Sequence, residues 1–86
     1  MLAVQVGDLD VVKLLVTNKI DLNAVDDAGI NAAFVAAYYG RDEIFKFLID
    51  QGAQLKSNAK GTSPLHVATK KGYNNIVKFI LQSGTL

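Results

Sequence analysis

The sequence predicts an all-α solenoid of stacked helix-turn-helix repeats joined by β-turn or hairpin loops, with about two full units after a partial N-terminal one. A motif starting at Gly7, Gly40 and Gly72 recurs at spacings of 33 and 32 residues. In each copy two apolar residues, a lysine and three more apolar residues begin four positions after the glycine. The 32-residue spacing recurs between Gly29 and Gly61. The second helices are too apolar for one isolated helix pair to bury, so the pairs are expected to stack.

The first unit begins part-way through its first helix, because residues 1–6 align with the end of that helix in the next unit. Asp8 is a suitable N-cap for a helix over Leu9 to Asn18. Lys19 stands where the other units have glycine. Asn18 or Lys19 is therefore expected to accept a slightly strained turn.

The two full units carry clearer helix signals. In the second, Asn31 is expected to cap a helix to Tyr39, and a helix from about Asp42 to Gln51 follows. In the third, Ser63 is the N-cap, Pro64 suits the first helical position, and the helix runs from Leu65 to Lys71 and ends at Gly72. Its second helix is expected from about Asn75 to Ser83, stopping at Gly84. We divide the single domain, residues 1–86, into a partial repeat (about 1–25) and repeats at about 26–57 and 58–86.

These residues resemble the ankyrin repeat. Residues 63–68, Ser-Pro-Leu-His-Val-Ala, are similar to its Thr-Pro-Leu-His-x-Ala signature. Residues 76–84 resemble the family's second helix and closing glycine, and residues 52–57 resemble its Gly-Ala-Asp-Val-Asn-Ala connector. The second unit departs from the pattern, with Asn-Ala-Ala-Phe at 31–34, and Asn58 replaces the aspartate that Asp26 retains. The resemblance implies a non-catalytic module whose concave face and loop tips bind a protein.

Composition excludes several classes of function. The chain has no cysteine and a single histidine, so disulfides and a typical zinc site are excluded. A formal net charge of +1 argues against a dedicated nucleic-acid binder. The longest apolar run, Ala32 to Tyr39, is too short to cross a bilayer. Absence of cysteine and of a signal peptide favours an intracellular, cytoplasmic location.

No residue pattern indicates catalysis, a metal or a cofactor. His66 is the single candidate base, and we expect it to tie the loop before its helix to the neighbouring unit, with Ser63 as its partner. The pair Asp26-Asp27 lacks the further oxygen ligands of a calcium site and is expected at a solvated turn tip. The glycines follow the repeat spacing and do not form a phosphate-binding loop.

Positions that do not hold the stack together are expected to contact a partner. They lie on loop tips and at the ends of the first helices: Asp27, Ile30, Tyr38, Tyr39, Lys60, Thr62, Lys70 and Lys71. Tyrosines are common binding anchors, and flanking lysines favour an acidic partner surface. The alternative is that one tyrosine packs against the next repeat and the lysines are merely solvated.

The leading hypothesis for function is a protein-protein interaction module with a preformed surface. A second is a targeting or scaffold segment of a larger multidomain enzyme or effector. A third is binding of single-stranded nucleic acid through stacked tyrosines and flanking lysines, which the near-zero net charge opposes. Neither end carries an obvious polar capping face, so we expect either a longer parent array or end-to-end self-association.

Overall fold

The computed structural model describes residues 2–83 and shows six helices there, with no strand in that range. The helices form three successive pairs: α1 (Leu2–Val6) and α2 (Leu9–Thr17), α3 (Ala32–Tyr38) and α4 (Asp42–Asp50), α5 (Pro64–Lys71) and α6 (Asn74–Ser83). Each predicted helix end within the described residues agrees with the structure to one residue. The predicted end of the last helix, at Gly84, lies outside the described residues.

The pairs stack into two layers, as the solenoid prediction requires. Helices α1, α3 and α5 pack side by side in an inner layer, and α2, α4 and α6 pack in an outer layer. The inner layer is built from small residues. Ala33, Ala36 and Ala37 of α3 and Ala68 of α5 are fully buried, so these helix backbones can approach closely.

Larger side chains fill the outer layer. Phe45 and Leu48 of α4 and Ile76 and Ile80 of α6 are buried together in one core cluster. The rings of Phe45 and Phe79 meet edge to face, with centroids 6.0 Å apart and an interplanar angle of 85°. This geometry is one that aromatic pairs prefer, so it adds to the packing of α4 against α6.

The three predicted N-caps are confirmed. The side chains of Asp8, Asn31 and Ser63 each accept a hydrogen bond from the backbone N–H three residues later, at 3.2, 3.0 and 3.1 Å. The predicted strain after α2 is also found, because Lys19 has φ of 61°. At the end of α5, Gly72 takes the left-handed conformation with φ of 75°. The prediction left Asn18 or Lys19 open, and the structure selects Lys19.

In the second and third units, the residue after the turn glycine between the two helices covers the corresponding turn of the preceding unit. Arg41 donates two hydrogen bonds, at 2.8 and 3.2 Å, to the carbonyl oxygen of Gln5 and lies over Gly7. Tyr73 lies over Gly40, where an added Cβ would come within 2.9 Å of its ring. Gly40 is therefore required for its φ of 68° and for the close approach of the next unit.

Two asparagine amides, one half-buried and one buried, join the first two connectors. Asn23 Oδ1 accepts from the Gln54 backbone N–H at 2.8 Å. Asn31, only 2% exposed, caps α3 and also donates through Nδ2 to the Gln54 carbonyl oxygen at 2.9 Å. Asn31 thus satisfies both ends of its amide while it links two successive loops.

Candidate partner-binding surface

A concave groove of about 820 Å³ runs across the open side of the inner helices. Its walls come from the last turns of α3 and α5 and from the loops that precede these helices. Six of the eight residues proposed from the sequence as partner contacts line it: Ile30, Tyr38, Tyr39, Thr62, Lys70 and Lys71. Gln5, at the end of α1, forms part of the same wall.

The two tyrosines form the aromatic part of the groove. Tyr38 is the last residue of α3 and Tyr39 its C-cap, and they are 44% and 40% exposed. Their ring centroids are 5.0 Å apart with an interplanar angle of 63°. Each ring is therefore held by its neighbour while much of its surface stays open to solvent. A fixed aromatic surface loses little conformational entropy when a partner binds.

One lysine of the third unit reaches the aromatic pair of the second. Lys71 Nζ lies 4.3 Å from the centroid of the Tyr38 ring. A cation at this distance over a tyrosine face makes a cation–π contact, worth about 0.5–1 kcal/mol at an exposed site. The contact brings Tyr38 and Lys71 together, as expected from their places in successive repeats. Tyr38 thus has a feature of each alternative: it contacts the next repeat through Lys71, and 44% of its surface is still open to a partner.

The loop tips repeat one turn with two different side chains. Asp26 Oδ1 accepts from the N–H groups of Ala28 and Ile30, at 2.9 and 3.0 Å. Asn58 Oδ1 accepts from the N–H groups of Lys60 and Thr62, also at 2.9 and 3.0 Å. The replacement of aspartate by asparagine therefore keeps the turn and removes its negative charge.

The two tips are joined to each other by a backbone hydrogen bond from the Ala59 N–H to the Ala28 carbonyl oxygen, 2.8 Å long. Asp27 and Lys60 are exposed at these tips and do not line the groove. The eight proposed residues therefore separate into a groove set of six and a tip set of two.

The expected partner of His66, Ser63, is found, but the expected tie of His66 to the neighbouring unit is not. Ser63 caps α5 by accepting the backbone N–H of His66, and the imidazole is exposed on the groove wall. Side-chain hydrogen bonds between units come instead from Asn23, Asn31, Arg41 and Asn75. The groove position of His66 follows from the helical period, because residues 66 and 70 lie on one face of α5.

Sequence reasoning also missed Phe34, Val35, Val67, Asp26 and Asn58, which line the groove. Phe34 and Val67 are buried and Val35 is half-buried, so each presents only a small part of its surface to the groove. Asp26 and Asn58 carry a signal that could have been used, since each precedes its turn glycine by three residues.

Within the described part of the chain, no three histidine, cysteine, aspartate or glutamate side chains are grouped to hold a metal ion. No helix among residues 2–83 combines the length and apolar character needed to cross a membrane. The groove therefore presents aromatic, apolar and cationic groups together with the Asp26 carboxylate.

Fold and groove together define a helix-pair repeat protein that presents a concave surface. The family of "Ankyrin repeats (3 copies)" matches residues 1–85. The chain therefore belongs to the ankyrin-repeat family, which confirms the resemblance and the fold class predicted from the sequence. Ankyrin repeats are non-catalytic modules that bind other proteins.

Similar proteins carry the repeats in different settings. The chain is 31% identical over 80 residues to human "Protein phosphatase 1 regulatory subunit 27", covering 91% of this chain and 52% of that protein. It is 43% identical over 61 residues to rat "Ankyrin repeat and SAM domain-containing protein 6", covering 70% and 7%. It is 32% identical over 71 residues to "Palmitoyltransferase AKR1" of Lachancea kluyveri, covering 81% and 10%. The chain thus spans about half of the first relative's length and a small fraction of the other two.

Proposed function

We propose that this chain is a protein-interaction module that binds its partner through the concave groove and the loop tips. The observation that carries the proposal is the exposed cluster of Tyr38, Tyr39 and Lys71, fixed by ring and cation–π contacts. Exposed aromatic side chains in a preformed concavity are typical binding anchors. The inner helices are held by a close-packed alanine core, so the surface exists before a partner arrives.

The test is an affinity pull-down with quantitative mass spectrometry, and it compares two variants that carry four alanine substitutions each. The groove variant replaces Tyr38, Tyr39, Lys70 and Lys71 together with alanine. The control variant replaces four exposed residues of the outer layer and the adjoining turn, Lys13, Glu43, Gln51 and Lys78, with alanine.

A protein retained by the wild type and the control but lost by the groove variant is the expected result. Circular dichroism must show the same helix content for all three chains. A partner retained equally by the groove variant would refute this surface.

A second candidate is a targeting or scaffold segment of a larger protein. Val11 of α2 is 40% exposed, whereas its equivalents Ile44 and Ile76 are 3% and 1% exposed because a preceding unit covers them. Leu2 and Leu14 are exposed on the same N-terminal unit. Relatives of which this chain covers only a part include a phosphatase regulatory subunit and a palmitoyltransferase. An apolar face of this kind suits a further repeat or a second copy.

Two measurements distinguish a further repeat from a second copy of the chain on this face. The length of the full reading frame shows whether further repeats precede this segment. Light scattering of the 86-residue chain over a concentration series tests end-to-end association, for which the apparent mass must rise with concentration. A constant monomer mass up to millimolar concentration would exclude self-association.

The intracellular, cytoplasmic location stays a prediction, which fluorescence microscopy of a tagged chain would test.

A further inference from the structure

The acidic and basic residues that give the net charge of +1 are distributed unequally along the stack. Residues 1–50 contain eight acidic and four basic residues. Residues 51–86 contain five lysines and no acidic residue, since Asp50 is the last carboxylate in the sequence. Because the repeats stack in chain order, the first two units together are acidic and the third unit is basic.

Three of the five lysines lie on the groove side of the third unit. Lys70 and Lys71 line the groove at the end of α5, and Lys60 is exposed at the loop tip. The remaining two lie elsewhere: Lys56 Nζ donates to the Asn23 carbonyl oxygen at 3.4 Å, and Lys78 is exposed on α6. The basic charge of the third unit is thus concentrated where a partner would enter.

The turn that precedes α5 adds no opposing charge. At the equivalent place in the second unit the carboxylate of Asp26 lines the groove and accepts two backbone N–H groups. Asn58 makes the same two bonds with a neutral amide. The groove residues from the third unit therefore include Lys70 and Lys71 and no carboxylate, whereas those from the second unit include Asp26.

Apolar surface adjoins these cations. Lys71 rests on the Tyr38 ring at 4.3 Å, a contact that uses one side of the ammonium group and leaves N–H donors for a carboxylate. Tyr39 and Ile30 complete the aromatic and aliphatic wall. A ligand that matches this arrangement has carboxylates beside an apolar side chain.

We propose that the groove binds an acidic protein segment, with aspartate or glutamate side chains on Lys70 and Lys71 and an adjacent apolar side chain against Tyr38, Tyr39 and Ile30. This inference rests on the proposed function and adds the chemistry and orientation of the partner. The carboxylates lie toward the third unit, because the Asp26 carboxylate repels them from the second. Opposite charges of this kind accelerate association and set the orientation of the bound chain.

The test uses a fluorescein-labelled twelve-residue peptide of glutamate and glycine with one central phenylalanine, and fluorescence anisotropy at low salt. A peptide with lysine in place of every glutamate is the charge control. The 86-residue chain binds the glutamate peptide and does not bind the lysine peptide. Raising sodium chloride tenfold weakens the binding, because exposed charge pairs are screened.

Three variants locate the contact. Lys70→Gln/Lys71→Gln weakens binding of the glutamate peptide by about three- to tenfold, as expected for the loss of two exposed ion pairs. Lys46→Gln/Lys78→Gln removes the same charge from the outer layer and changes binding by less than about twofold. Asn58→Asp keeps the turn, as Asp26 shows, and weakens binding by adding a negative charge to the groove residues of the third unit.

Several results would overturn the proposal. They are no binding of the glutamate peptide, equal binding of the lysine peptide, or equal weakening by the two lysine pairs. Tighter binding of a twelve-nucleotide oligothymidylate, with the same dependence on Lys70 and Lys71, would assign the groove to nucleic-acid phosphates instead. If the glutamate peptide does not bind but the groove variant still loses the captured protein, only the proposal of an acidic ligand is refuted. Retention of that protein by the groove variant would refute the proposed function as well.

Discussion

Gly29 and Gly61 occupy the same place in successive turns, yet alanine should affect them very differently. Both have positive φ, 77° and 83°. Alanine in this left-handed region costs about 1–2 kcal/mol at each position. A Cβ on Gly29 would lie 2.8 Å from the backbone nitrogen of Ala59, whereas a Cβ on Gly61 would meet nothing within 4 Å.

The difference between the two substitutions measures the contact between the tips. The Ala59 N–H donates to the Ala28 carbonyl oxygen at 2.8 Å, so a Cβ at residue 29 must push this hydrogen bond apart. Loss of such a bond costs about 0.5–1.5 kcal/mol, and displacement of the turn adds to it. We expect Gly61→Ala to lower the free energy of unfolding by about 1–2 kcal/mol, and Gly29→Ala by about 0.5–1.5 kcal/mol more than that.

Urea unfolding followed by far-ultraviolet circular dichroism gives both values. In thermal unfolding each 1 kcal/mol corresponds to about 4–8 °C in Tm for a domain of this size. Equal destabilisation by the two substitutions, within about 0.5 kcal/mol, would refute the close approach of the tips. A larger effect of Gly61→Ala than of Gly29→Ala would refute it as well.

The remaining predictions concern stability, and the same urea titrations check them. Lys19→Gly should raise the free energy of unfolding by about 0.5–1 kcal/mol, because Lys19 holds φ of 61° without glycine's freedom; a loss of stability would contradict this. Asn31→Ala should cost about 2–3 kcal/mol, since a buried cap and a link between loops are both lost, whereas Ser63→Ala removes only a cap and should cost about 1 kcal/mol. Ile44→Ala should cost about 2–4 kcal/mol and the half-exposed Val11→Ala less than about 1 kcal/mol; similar costs would show that the N-terminal face is covered in solution.

The helices could be predicted because their ends depend on residues close in sequence. Ser63 and Pro64 start α5 through a cap and a preset φ, and Gly72 ends it through positive φ. None of these effects needs a partner more than four residues away. The strained turn after α2 was predictable for a similar reason. The repeat spacing indicated it at Asn18 or Lys19, although neither residue is glycine, and Lys19 has the positive φ.

Contacts between units could not be predicted in the same way. Tyr73 covers Gly40, and Arg41 donates to the Gln5 carbonyl oxygen, only because the helix pairs are rotated by a particular amount as they stack. Sequence spacing gives the order of the units and leaves that rotation undetermined. The role expected for His66 failed for this reason, because whether its ring reaches the next unit depends on the stacking geometry.

The groove residues were partly predictable because the repeat separates scaffold positions from variable ones. Comparison of units placed Tyr38 and Lys71 near each other, but the 4.3 Å contact required the structure. Asp26 and Asn58 show a limit of that separation. Both make the same turn, so each is a scaffold residue, yet their exchange changes the charge of the groove wall. A position can therefore determine fold and recognition together: the shared hydrogen bonds preserve the stack, and the difference in charge distinguishes one unit's surface from the next.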